Sequence, residues 1–383
     1  MTPVLASSYY KAYIPSISSS LYSRIKSVWK SVQEILGTPL RLLAFPLTLS
    51  KLPLEYQQLL EGERKFFSDF WNPNVPLNPQ FPWQEDIRSH FFWKKETLSL
   101  EIEGKPVWVE YSIIEPKEGE KPLNFLYMPG NVATNDSYIL GPYPFLVSAL
   151  KQKEKGLPRI LILSQYDIYK EPGEKYHPRN IDEPGLIFSH VLKALSREKG
   201  PIHFLAAHSY GTVVLASSLK HLAPQDLDLL PQTIYLDRGP SSVKEAASLF
   251  FGTFWWFVFQ WARLTHWNLD MGQEIFQSLS HRKDQTLLIA ETKKDSFFKG
   301  KASLVQSPFI QSLEKQGKAK CFRFDFAYQH CMPRAHHMLH NGLLDEYHLT
   351  EKNNLLQPGE NMADLAIKLF HSESSKNAAR SPT

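Results

Sequence analysis

Short apolar runs alternate with amphipathic segments along most of this chain, and that alternation restricts the fold more than any other feature. Residues 97–103 and 107–114 alternate polar and apolar positions around Gly104-Lys105-Pro106, which reads as a hairpin opening a sheet. After it come strands at 123–128, 159–164, 202–207 and 233–237, with helical segments near 138–151 and at 186–197 and 212–221. Beyond an insertion the pattern resumes with strand 286–291, helix 305–316, strand 320–326 and helix 361–370. Strands that stay apolar along their length and lead into helices predict a mostly parallel sheet covered on both faces. With 383 residues, 43% of them hydrophobic, the chain can build one large core with additions, which excludes a disordered or collagen-like chain.

The run at 202–207 ends abruptly at a serine and restarts as a helix: Ile202-His203-Phe204-Leu205-Ala206-Ala207-His208-Ser209-Tyr210-Gly211-Thr212-Val213-Val214. A serine on a tight strand-to-helix turn stands its hydroxyl clear of the sheet beside free helix amides, a geometry suited to acyl transfer. Ala207 and Gly211 are small enough to let strand and helix approach closely on either side of it.

A hydroxyl at its ordinary pKa is a poor nucleophile, so Ser209 needs a histidine to accept its proton and a carboxylate to orient that histidine. Both are expected on loops at the carboxyl ends of later strands. Asp295, past strand 286–291, is the first choice of acid, with Asp237 after the preceding strand and Glu291 as alternatives. For the base, His337 ranks first in the cluster after the last strand, followed by His336, His340 and His330. An oxyanion would be held by two backbone amides, one from Tyr210 and the other from Asn131 or Val132 in the turn Met128-Pro129-Gly130-Asn131-Val132-Ala133.

Strand pattern, elbow, oxyanion loop and the chain order serine, aspartate, histidine together resemble the α/β-hydrolase superfamily over roughly residues 97–370. That family's elbow reads G-x-S-x-G, where this chain has Ala207 at the first glycine, and its oxyanion loop carries Pro129-Gly130 where many members carry His-Gly. The resemblance implies an α/β-hydrolase fold and a lipase- or esterase-like serine hydrolase, with Ser209, Asp295 and His337 as its triad and Asn131 and Tyr210 as its oxyanion hole. No cofactor is implied. A metal has little support, because His336 and His340 stand at i, i+4 without an H-E-x-x-H pattern or a cysteine ligand set.

Residues 248–264 hold eight aromatic side chains, among them Trp255, Trp256 and Phe257, and read as a helical cap whose aromatics form an apolar binding wall. The cap points to a small, lipid-like ester or thioester with a hydrophobic acyl chain. The expected organisation is an N-terminal extension over 1–94, hydrolase core over 95–243 and 285–372, the cap over 244–284, and a disordered tail over 373–383. Within the extension, residues 66–93 read as a proline- and aromatic-rich connector, and residues 21–36 as an amphipathic helix with a basic polar face. Such a helix docks on the core or lies in an anionic membrane surface, so peripheral membrane contact through 21–36 and the cap is an expectation. A catalytically silent fold acting as a membrane-associated or partner-binding module is the rival reading.

Net charge is +4 without a long basic run or a base-readout motif, so nucleic acid is not an expected partner. The serine-rich start, interrupted by Pro3 and Pro15, lacks the apolar core of an ordinary signal peptide. Two cysteines, Cys321 and Cys331, cannot make a disulfide framework, and a cytoplasmic or peripheral-membrane location fits them.

Overall fold

Every residue of β3 (Asn124–Met128) and all but one of β6 (Ile202–His208) are buried, as befits strands covered on both faces. In the computed structural model the described residues are 54–79, 81–118, 122–130, 134–136, 139, 141–251, 255–264, 266–292, 300–324 and 362–380. The chain divides into two units, Met1–Phe45 and Pro46–Thr383, and all described residues belong to the second. Residues 21–36 therefore lie outside the described residues.

The sheet begins with β1 (Phe91–Ile102) and β2 (Lys105–Pro116), joined by Glu103 and Gly104 at φ +51° and +73°. Two left-handed residues in a two-residue loop match the twist of the strands they connect. The turn is thus one residue earlier than the glycine-lysine-proline turn expected, and Lys105 pairs with Ile102. β2 runs antiparallel to β4 (Arg159–Glu171), which outlasts its expected end and folds back on the short β5 (Glu174–Lys175). From β4 the order is β3, β6, β7 (Thr233–Asp237), β8 (Thr286–Thr292) and β9 (Ala319–Phe324), each parallel to its neighbour.

Helices α1 (Leu54–Trp71) and α2 (Gln84–His90) occupy much of the stretch that reads as a connector. Phe67, Phe70, Phe81 and Ile87 are at most 2% exposed and belong to the main core, where Phe81 and Phe70 meet the Tyr143 ring edge-on. Arg88 holds the intervening turn by donating to the carbonyls of Phe70, Val75 and Asp69. The prolines of this stretch, Pro73, Pro76, Pro79 and Pro82, all lie between the two helices, and aromatic packing against α3 (Tyr143–Lys151) supplies the order.

On the other face lie α4 (Asp182–Glu198) and α5 (Tyr210–Leu219). Every residue of α5 is buried, and the hydroxyls of Thr212, Ser217 and Ser218 all donate to backbone carbonyls, so these three need no water. Between β7 and β8 the insertion forms α6 (Val243–Phe251), α7 (Trp255–Leu264) and α8 (Met271–Leu279), of which α8 packs on α5. After α9 (Pro308–Lys315) and β9, α10 (Met362–Arg380) packs on α3, continuing through most of the tail expected to be disordered.

Candidate functional site

β6 and β7 end side by side, with His208 paired to Asp237 in register. The next residue, Ser209, takes φ +51° and ψ −115°, a left-handed conformation unusual for a side chain-bearing residue, and α5 starts at once with Tyr210. Two backbone hydrogen bonds hold the turn: Ser209 N–H donates to Asp237 C=O at 2.9 Å, and Thr212 N–H donates to Ser209 C=O at 3.0 Å. As the first helical residue, Tyr210 presents an amide with no intrahelical acceptor, at the positive end of the helix dipole.

The turn after β3 packs directly on this elbow. A Cβ built on Gly130 would lie 3.0 Å from both His208 Cδ2 and Ser209 Cβ. One built on Gly211 would stand 2.6 Å from the Met128 carbonyl oxygen and 2.8 Å from that of Pro129, main-chain atoms with no rotamer to change. Gly211→Ala is therefore expected to lower stability by ~1–3 kcal/mol, seen as a lower urea midpoint. An unchanged midpoint would show that α5 slides freely past β3. Ala207 is 1% exposed, so the methyl in place of the family's first glycine is accommodated inside the core.

Beneath the elbow sits an ion pair that sequence reasoning overlooked. His208 Nδ1 lies 2.9 Å from Asp237 Oδ2, and the same carboxylate accepts Arg238 Nε at 2.9 Å and Nη2 at 2.5 Å. Arg238 reaches back onto its neighbour by adopting φ +49°. Burial alone would raise the Asp237 carboxyl, but the Arg238 charge and the His208 hydrogen bond outweigh it and hold it well below the usual carboxylate range. Two polar residues closing apolar strands at the carboxyl end of the sheet were the available signal for this pair.

Past residues 131–133 the chain returns at Thr134 to Asp136, and charge anchors it. Asp136 pairs with Arg64 of α1 at 3.1 Å and with Lys95 of β1, which together keep its carboxyl ionised against the cost of burial. Asp167, 2% exposed on β4, accepts the Asn135 amide at 2.6 Å and Lys175 Nζ at 3.3 Å. Burial dominates here and raises its carboxyl to about 6. A folded pKa above the unfolded one favours the native state while the group is protonated, and that stability is lost as pH rises through about 6. Asp167→Asn should accordingly flatten the fall in urea midpoint between about pH 4 and 6. An identical pH profile for the variant would refute the assignment.

Of the expected site residues, Ser209, Tyr210 and Asp237 meet at one point, with Asp237 gripping His208 and Arg238. Glu291 is buried at the end of β8, where Ser303 Oγ and Gln306 Nε2 donate to it. Asn131, Val132, Asp295, His330, His336, His337 and His340 lie outside the described residues. Among the described residues no group of three metal-ligating side chains gathers, and no helix is long and apolar enough to cross a membrane. Four of the eight aromatic side chains of the insertion are described. Trp256 is 51% and Phe257 60% exposed, while Trp255 and Phe259 are half-buried.

No protein-family model and no curated protein matches the chain. Solved structures with similar folds include an esterase of the archaeon Pyrobaculum calidifontis, 10% identical, covering 76% of this chain and 87% of its own at a TM-score of 0.41. A fungal esterase of Rhizomucor miehei is 14% identical over 79% of this chain and 94% of its own, with a TM-score of 0.42. Brefeldin A esterase, described as a bacterial homologue of human hormone-sensitive lipase, is 12% identical over 86% and 84%, with a TM-score of 0.43. The chain's own strand order, with a left-handed serine between β6 and α5 and the β3 turn packed beside it, is that of an α/β-hydrolase fold.

Proposed function

We propose that this chain is a serine hydrolase cleaving a carboxylic ester or thioester through an acyl-enzyme on Ser209. The observation that carries the reading is Ser209 itself, buried at φ +51° between a parallel strand and the helix whose first amide is beside it. Ser209 Oγ attacks the acyl carbon while its proton passes to a histidine, His337 in this reading, which Asp295 orients. The carbonyl electron pair moves onto oxygen, held by the amides of Tyr210 and Asn131. Collapse expels the alkoxide or thiolate, which regains the proton from the imidazole, and water then repeats both steps to release the acid.

A hydrophobic acyl chain is read from the aromatic insertion between β7 and β8, and contact with a lipid surface through residues 21–36 and that insertion extends the same reading. The exposure of Trp256, Phe257 and Leu264 also favours a second function, a partner-binding module without catalysis. A fluorophosphonate probe separates the two. The hydrolase reading expects one covalent adduct, located on Ser209 by peptide mass and missing from Ser209→Ala. A folded wild-type protein without that adduct would overturn it in favour of the binding module.

A further inference from the structure

The residue before the nucleophile is held more tightly than a spacer needs to be. His208 is 6% exposed, closes β6, and is fixed through Nδ1 to a carboxylate that Arg238 keeps charged. Asp237 also supports Ser209 directly, since its carbonyl accepts the Ser209 amide. One residue thus anchors the elbow twice, by side chain to His208 and by main chain to Ser209. The Cδ2–Nε2 edge of the imidazole faces Gly130. Its Cδ2 and Nε2 lie 3.0 and 3.5 Å from where a Gly130 Cβ would stand, and Ser209 Cβ is 3.0 Å from the same point. The His208 ring edge and Ser209 Cβ thus both border the space beside Gly130 that a side chain there would enter.

We propose that His208 is a positioning residue, locked by Asp237 and Arg238, whose ring holds the Pro129–Gly130 turn in register with Ser209. The inference rests on the acyl-transfer reading above, in which that turn leads into the second oxyanion donor. An amide displaced from the developing oxyanion weakens the transition state more than the bound substrate, so turnover falls and KM stays. The ring's Nδ1 proton is committed to the carboxylate, which fixes one tautomer and the orientation of the ring.

Two substitutions divide the ring's duties. His208→Asn keeps a donor near the Nδ1 position but removes the ring edge, whereas His208→Phe keeps the ring and removes the donor. With a 4-nitrophenyl ester, His208→Asn is expected to lower kcat by roughly 10–100-fold with KM within about threefold. The pKa of the acid limb of the pH–rate profile should stay at its wild-type value, because the base is another histidine. His208→Phe should retain more of kcat than His208→Asn while losing stability. Gly130→Ala, which pushes the same turn from the other side, should reproduce the loss of kcat without that of KM and serves where a His208 variant fails to fold. The proposal is overturned by wild-type kcat in His208→Asn and Gly130→Ala, by a kcat loss that disappears per folded molecule, or by loss of the acid limb, which would make His208 the base. The outcome is separable from the parent reading. A wild-type protein that forms no Ser209 adduct defeats the hydrolase assignment, whereas an adduct formed at the wild-type rate by His208→Asn defeats only this inference.

Discussion

Ser209→Ala is expected to lower turnover of a 4-nitrophenyl ester by on the order of 10⁴–10⁶-fold, the loss that follows removal of a nucleophilic serine. Stability should change by no more than about 1 kcal/mol, since one hydroxyl is removed and the chain path is unchanged. That path is set by the main chain, through the Ser209 amide on Asp237 C=O and the Thr212 amide and hydroxyl on Ser209 C=O. Alanine at φ +51° carries the same strain as serine. Turnover retained within tenfold in a folded Ser209→Ala would place the nucleophile elsewhere.

Asp237→Ala should cost about 3–5 kcal/mol at neutral pH. Removing the carboxylate leaves two buried partners at once, since the Arg238 side chain is 10% exposed and that of His208 8%. Asp237→Asn, which retains an acceptor oxygen, should lose less. Wild-type Asp237 is held below its ordinary range, so its stabilisation is complete above the unfolded value of 3.8 and is lost as pH falls toward the folded one. Acid unfolding should thus be steeper below about pH 4 in wild type than in Asp237→Ala. Urea midpoints across pH 3–7 decide the matter, and parallel curves for the two proteins would refute the linkage. Because the Asp237 carboxylate also holds His208, the residue before Ser209, the same variant reports on the site. If the carboxylate serves the elbow through His208, kcat follows the His208 variants. If Asp237 orients the catalytic base instead, the acid limb of the pH profile shifts with it.

The sequence determined the parallel core strands and the elbow, because both are written locally. Unbroken apolar runs such as 123–128 and 202–207 have no polar face to offer water, so they require cover on both sides. A serine between such a run and Gly211-Thr212-Val213-Val214 leaves few structures other than a tight strand-to-helix turn. Only the tertiary structure decided which distant side chains meet beneath that turn. His208 and Asp237 are 29 residues apart, and Arg64 and Asp136 are 72 apart. No periodicity records such pairs, because their alignment comes from strand register and helix docking. It likewise decided that residues 66–93 join the core, where a seven-residue helix is too short to show a period while Phe70 and Phe81 gain burial against Tyr143 and Phe67 against Trp93. Local patterning specifies which elements form, and burial with charge pairing specifies which of their ends come together.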